Sequence, residues 1–504
     1  MKQRETEFLI IRADDVESHR GNGLIPMMDS DCACPTTNST LSLEQSSIQE
    51  SYWQRASQLH RQELKDNNTL VFNPFSTTGP LVLNHEAHRL LTCFEQPRSL
   101  DDAQIERVFE IDTHQAVARL VELGLIEPVG SQPAINRGTP DCLVAWLHTT
   151  NACNLRCTYC YIDKSAEPMN DTVGFASVDA VFRSAQQHGF PAVKLKYAGG
   201  EATLNFGLVQ KLHTYAQGLA GQTGIQLHEV VLSNGVALTN RMLTFMQTAG
   251  IGLSISLDGL GEGHDAQRVF VNGKGSAMHV KRSVERALAH GVRPHLSITV
   301  TAHNGEDAAA AVDFALAHDL LFNLNFYREN DATATQGDLR AEDTQMIASM
   351  RRCFAMIEQN LPAHSILGSL VDRANFGIPH EQVCGVGDSY MVVDQQGKVA
   401  RCQMEIERAV SDIWAMDPLA DIKHYDQDFQ SLAVGEKEGC QTCAWRYWCA
   451  GGCPALTYRV TGRNDVKSPY CHVYQTIYPD LLRLEGLRLL KKLSANQPSA
   501  FGQN

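Results

Sequence analysis

The sequence predicts an α/β fold built on a parallel sheet, and three observations carry that expectation. Between about 141 and 335, six apolar runs recur: CLVAWLHTT, AVKLKYAGG, LHEVVLSNG, GLSISLDG, PHLSITVTA and LFNLNFY. Longer helical stretches separate them, which is the alternation of βα units. Four of the runs lead into polar or cysteine-bearing loops, at the ends where ligands sit in such folds. Six units fit either a doubly wound sheet or an incomplete barrel.

Around this centre the chain divides further. Residues 1–65 are polar and contain CACPTTNSTLSLEQSS, so a loose tail is expected, ending in a helix at SYWQRASQLHRQEL. TLVFNP and GPLVLN, separated by turn residues, predict a β-hairpin. Asn84 is placed to cap a helix over HEAHRLLTCFE with Leu90, Leu91 and Phe94 inward. AVARLVELGLIEPV predicts an amphipathic helix, a stop at Gly124 and a short strand. Together, 66–130 suggest a small winged-helix-like domain, expected to be removable without loss of the central chemistry. A helical linker over 336–383, a cysteine-dense domain over 384–475 and a C-terminal helix and tail over 476–504 complete the expectation.

Composition narrows the function. The 504-residue chain is 43% hydrophobic and 20% charged, ordinary values for a globular protein of several domains. A net charge of −14 argues against a large nucleic-acid surface. No apolar run approaches a membrane span and the first residues lack a signal-peptide core, so a cytoplasmic protein with no membrane partner is expected. Fifteen cysteines in that setting point to metal or catalysis rather than disulfides. Cys32, Cys34, Cys93, Cys142 and Cys353 stand apart from any spaced set and are read as plain tail or buried thiols.

The other ten cysteines fall in two sets. Cys153, Cys157 and Cys160, spaced C-x3-C-x2-C, follow the first strand, with Tyr161 beside them. Three thiolates are odd for zinc or for disulfides, but suit a cubane cluster that keeps one iron open. Gly199, Gly200 and Glu201 follow the second strand. With that placement, the chain resembles the radical S-adenosylmethionine enzymes. The resemblance implies a partial (β/α)6 TIM-type barrel and a 4Fe-4S cluster whose open iron is chelated by S-adenosylmethionine. It further implies that Gly199 and Gly200 admit the methionyl group and that Glu201 accepts from its ammonium. Ser233, Asn234, Ser256 and Asp258 would line the cosubstrate, and Arg268 would pair with its carboxylate.

The second set reads Cys384, Cys402, Cys440, Cys443, Cys449, Cys453 and Cys471. A pair of zinc sites is the plainer reading, but C-x2-C-x5-C-x3-C is not a zinc-finger spacing. The string is similar to the SPASM extension of the same enzymes, which carries two auxiliary clusters, for three 4Fe-4S clusters in all. By that resemblance Cys440, Cys443, Cys449 and Cys471 hold one cluster, while Cys384, Cys402 and Cys453 hold the other. Its fourth iron would be open, or take water, Asp388 or a substrate thiolate.

The winged-helix-like segment resembles the precursor-recognition elements of ribosomal-peptide (RiPP) maturases, which add a leader peptide to a sheet edge. The expected activity is therefore oxidative thioether or carbon–carbon crosslinking of a precursor peptide with a leader. An external electron donor such as flavodoxin or ferredoxin would supply reducing equivalents. A sulfatase maturase forming formylglycine and a non-enzymatic electron carrier are the alternatives. No catalytic base is identified; Tyr327, Arg328 and Glu329 are candidates only by position.

Overall fold

The computed structural model describes residues 8–13, 39–44, 52–100, 102, 109, 111–330, 339–368 and 370–495. Cys32, Cys34 and most of the expected polar tail lie outside them. The six apolar runs form β1 (Cys142–Thr150), β2 (Ala192–Gly199), β3 (Gln226–Ser233), β4 (Gly252–Ser256), β5 (His295–Val300) and β6 (Phe322–Phe326). They pair in parallel in chain order. That succession fits an incomplete barrel, because a doubly wound sheet would reverse its order at a switch point.

Helices α1 (Asp171–Gln187), α2 (Phe206–Thr223), α3 (Asn240–Ala249), α4 (Ala277–Ala289) and α5 (Gly305–Ala317) cover the outside. Local chemistry sets their ends. Asn170 and Thr239 cap α1 and α3 by accepting from Val173 N and Met242 N, and α2 stops at Gly224, whose φ of +72° an L side chain resists. No described helix is long and apolar enough to cross a membrane.

The sheet does not end at β1. Strand β7 (Tyr390–Val393) joins it in parallel, and Lys398–Ala400 and Ser411–Asp412 follow antiparallel, giving nine strands. All nine residues of β1 are buried because strands flank it on both sides. The barrel and the cysteine-rich region thus share one sheet. Among the described residues the expected linker is helical only over Asp343–Gln359, and the final helix, Cys471–Ala495, runs straight through the expected boundary at 475.

In the N-terminal region the hairpin forms, Thr69–Phe72 against Leu81–Leu83. Asn84 accepts from Ala87 N at the head of its helix, and Leu90, Leu91 and Phe94 are buried. Gly124, at φ +65°, ends the helix Thr113–Glu122 before the strand Ile126–Pro128. The helix expected near residue 60 does not form. Trp53–Arg55 pairs with Ile126–Pro128, and His60–Glu63 pairs with Thr69–Phe72. Long-range strand partners override a weak local helix preference here.

This region also packs directly on the rest of the chain. Leu70, Phe72 and Phe75 belong to the same apolar core as the barrel. Phe72 packs edge-on against Trp448 with centroids 5.2 Å apart, and Trp448 Nε1 donates to Pro74 O at 2.9 Å.

Candidate active site

The three-cysteine loop leaves the end of β1 and is held by two close neighbours. Leu155–Cys157 pairs antiparallel with Arg268–Phe270, placing Cys157 opposite Arg268. The β2 end crosses the loop so closely that only glycine fits. A Cβ on Gly199 would lie 2.1 Å from Thr150 O, and one on Gly200 would lie 2.3 Å from Ala152 O. Gly200 N and Glu201 N instead donate to those two carbonyls at 2.7 and 2.9 Å. Close approach of the chain to itself therefore requires glycine at both positions.

Glu201 is likewise occupied. Its buried carboxylate accepts from Thr203 N at 3.1 Å, Thr203 Oγ1 at 2.5 Å, Ser233 Oγ at 2.9 Å and Asn234 N at 2.6 Å. Four donors use most of a carboxylate's acceptor capacity, so Glu201 braces the β2 loop against the β3 loop. Asn234 extends the brace, donating to Asn154 Oδ1 at 2.7 Å and to Cys153 Sγ at 3.6 Å.

On the other side Asp258 is fully buried behind the site and does not line it. It accepts from Tyr159 OH at 2.5 Å and Thr299 N at 2.9 Å, and stands 3.8 Å from Arg268 Nη1. Arg268 Nη1 also donates to Tyr159 OH. Burial pushes the Asp258 carboxyl up, opposed by the Arg268 charge. Tyr159 is the residue that sequence reasoning passed over in favour of Tyr161; the signal available was an aromatic inside the C-x2-C step itself.

These elements enclose a cavity of about 230 Å³ at the carboxyl ends of the strands. Its walls include Cys153, Cys157, Cys160, Tyr161, Gly199, Gly200, Glu201, Ser233, Asn234, Ser256 and Arg268, so every expected cosubstrate residue except Asp258 is brought together. Tyr159, Trp146, Asn325, Arg373, Gln403 and Met404 also line it and were not foreseen; Tyr327 and Arg328 do too, while Glu329 does not. Burial pushes the Cys157 thiol up to about 12 and raises Cys153, the direction expected of thiols in a dry wall. Lys164 Nζ donates to Cys160 Sγ at 2.9 Å.

The seven thiols of the second spaced set form two further cavity walls. Cys384, Cys402 and Cys453 line one, Cys440, Cys443, Cys449 and Cys471 the other. The three-thiol wall shares Arg373, Gln403 and Met404 with the central cavity. Asp388 is not among its lining residues. It is held instead by Arg137 at 2.9 Å and Lys423 at 3.5 Å, which removes it as a fourth ligand in this arrangement. Among the described residues no three His, Cys, Asp or Glu side chains converge as for a single metal ion. The donor chemistry of the central cavity fits one cluster with a cosubstrate. Three thiols and a buried Arg268 Nε without a protein partner face one cavity, offering sulfur ligands and a donor for a carboxylate.

Residues 147–316 match the family model described as the Radical SAM superfamily. The serine-type anaerobic sulfatase-maturating enzyme of Klebsiella aerogenes is 23% identical over 356 residues, 66% of this chain and 83% of that protein. MJ0907 of Methanocaldococcus jannaschii is 27% identical over 159 residues, 31% of this chain, and the match spans only 53% of that relative. The solved structure of native anSMEcpe with bound AdoMet and Cp18Cys peptide aligns with a TM-score of 0.56 at 17% identity. It covers 71% of this chain and 100% of that one, a likeness of fold. The cysteine loop, the strand order and the matched segment agree, so that residues 147–316 carry the features of the Radical SAM superfamily.

Proposed function

We propose that the chain is a peptide maturase that removes a hydrogen from a residue of a ribosomally made precursor and closes a thioether or carbon–carbon crosslink. The observation that carries this reading is the shared wall: a three-thiol set adjoins the central cavity through Arg373, Gln403 and Met404. With three 4Fe-4S clusters and S-adenosylmethionine bound, these thiol sets would supply a 5′-deoxyadenosyl radical and a sink for the electron released on bond formation.

The chain's own residues do the rest. Lys164 offsets charge on Cys160, Arg268 holds the cosubstrate carboxylate, and Asn234 keeps Cys153 in place. Trp146, Phe326 and Tyr327 give the cavity apolar walls that exclude water. A leader peptide would add to the strand His60–Glu63, the outer strand of a four-stranded sheet. A flavodoxin or ferredoxin in the cytoplasm would deliver the electron. Formylglycine formation on a sulfatase is the second reading, favoured by the Klebsiella relative and by the peptide-bound anSMEcpe fold.

Replacing Cys153, Cys157 and Cys160 together by Ala tests the assignment. The variant is expected to lose about a third of its iron, one cluster of three, and all 5′-deoxyadenosine formation. Continued 5′-deoxyadenosine release, or zinc in place of iron in the wild type, would overturn it. A mass loss on a candidate precursor peptide, against formylglycine on a sulfatase, separates the two readings.

A further inference from the structure

The central cavity carries a surplus of cationic side chains in a chain of formal charge −14. Lys164, Arg268, Arg328 and Arg373 line it, and Glu201 is the one carboxylate among its described lining residues. Three of the four cations are already assigned. Lys164 donates to Cys160, Arg328 Nη2 donates to Asp372 Oδ1 at 2.5 Å, and Arg268 faces Asp258 through Nη1 with its Nε left for the cosubstrate. Glu201 has its own four donors and is spoken for.

Arg373 is different. Among the described residues it forms no hydrogen bond and no ion pair, yet it is half-buried on the wall between the central cavity and the three-thiol cavity. Asp372 turns the chain there at φ +45°, a left-handed conformation that Asp tolerates, and Phe326 N, Arg328 and Tyr474 OH hold its carboxylate. The turn is locked from behind, so Arg373 faces the cavity from a rigid mount. Arg328, on the central cavity alone, has a buried Nε with no hydrogen-bond partner and lies under the influence of Cys453. Withdrawing a guanidinium from water without a counter-ion is unfavourable, and its forked donors match a carboxylate in two parallel hydrogen bonds.

We propose that Arg373 anchors a substrate-side carboxylate subsite, so that the peptide presents an Asp or Glu side chain or its C-terminal carboxylate beside the residue to be modified. This deepens the peptide-maturase reading above and rests on it. Arg268 receives the cosubstrate's carboxylate and Arg373 the substrate's, which sets the peptide between the cysteine loop and the Cys384, Cys402 and Cys453 wall. The competing role for Arg373 is to balance the charge of Cys384 and Cys402, both of which feel it.

The experiment is affinity selection with iron-replete holoenzyme and S-adenosylmethionine, using two random octapeptide libraries, one C-terminally amidated and one with free C-termini. Wild type, Arg373→Met and Arg373→Lys are compared, with iron content and 5′-deoxyadenosine formation measured first. Wild type is expected to enrich carboxylates about tenfold over the isosteric amides, Arg373→Met to lose that preference and Arg373→Lys to keep part of it. Enrichment of Asp and Glu in the amidated library identifies a side chain; enrichment only with free ends identifies the terminus. No carboxylate preference in a wild type that still makes 5′-deoxyadenosine would overturn the subsite and leave Arg373 to the thiols. A preference that survives Arg373→Met would overturn it too. A wild type that makes no 5′-deoxyadenosine would instead sink the maturase reading itself.

Discussion

At the scale of single residues, Gly199, Gly200 and Glu201 show how a motif can be legible while its contacts within the chain are not. The three letters mark the loop correctly, yet what they contact is the chain's own β1 end and β3 loop. A glycine at φ +127° beside a carbonyl is a packing requirement that no periodicity announces. Gly200→Ala would place a methyl 2.3 Å from Ala152 O and 2.6 Å from Asn151 O, both backbone atoms with no room to yield. We expect a loss of about 1–3 kcal/mol in stability and weaker S-adenosylmethionine binding. Urea unfolding and calorimetric titration of the reconstituted enzyme would read both, and wild-type values in each would mean that the crossing is looser than described. Asp258 makes the same point from the other side: the loop is correctly placed, but its carboxylate faces Tyr159 and Thr299 behind the wall.

At the scale of elements, the hairpin Thr69–Phe72 with Leu81–Leu83 was readable from two apolar runs and a turn, but its burial was not. Every residue of both strands is buried, because one face meets the helices at 85–92 and 113–122, while on the other Phe72 meets the cysteine-rich region and Val82 meets Leu489 of the final helix. Phe72 lies among Phe376, Trp445 and Trp448, with centroid distances of 5.8, 6.1 and 5.2 Å. Phe72→Ala should therefore cost about 3–5 kcal/mol, the range for a buried aromatic truncated to a cavity. Because Trp448 adjoins Cys449, the loss is expected to appear as faster hydrogen exchange on both sides of the contact, at 69–83 and at 445–450. Exchange confined to the hairpin would mean that the two regions fold independently. The strand His60–Glu63 escaped sequence reading for the converse reason: HRQE carries no apolar alternation, and its partner strand supplies the pairing.

For the whole molecule, the expectation from this packing is that the N-terminal region resists clean removal. Deleting 66–130 would strip the acceptor from Trp448 Nε1 and uncover Phe376, Trp445 and the stretch of the helix Cys471–Ala495 around Gly486 that packs on Leu70. The expected outcome is loss of cosubstrate cleavage together with loss of a cooperative thermal transition, in place of the intact cleavage that a separate domain would leave. A soluble deletion variant that still makes 5′-deoxyadenosine would show that the interface is dispensable. Leader recognition is better tested by charge reversal of exposed positions on His60–Glu63, which leaves the docking face alone.

By itself the sequence determined the α/β class, the six strands, the ten spaced cysteines and the rim on which the first three lie. Each of these is a local property: apolar runs, helix caps and cysteine spacing are written in neighbouring residues. Tertiary structure alone decided the barrel order of the strands, the extension of the sheet by Tyr390–Val393 and the shared wall at Arg373, Gln403 and Met404. It also decided that Asp388 pairs with Arg137 and Lys423 and that Tyr159 bridges Asp258 and Arg268. Those contacts join residues about 35 to 250 positions apart, and which distant groups meet follows from how the apolar faces pack, which short-range pattern does not encode.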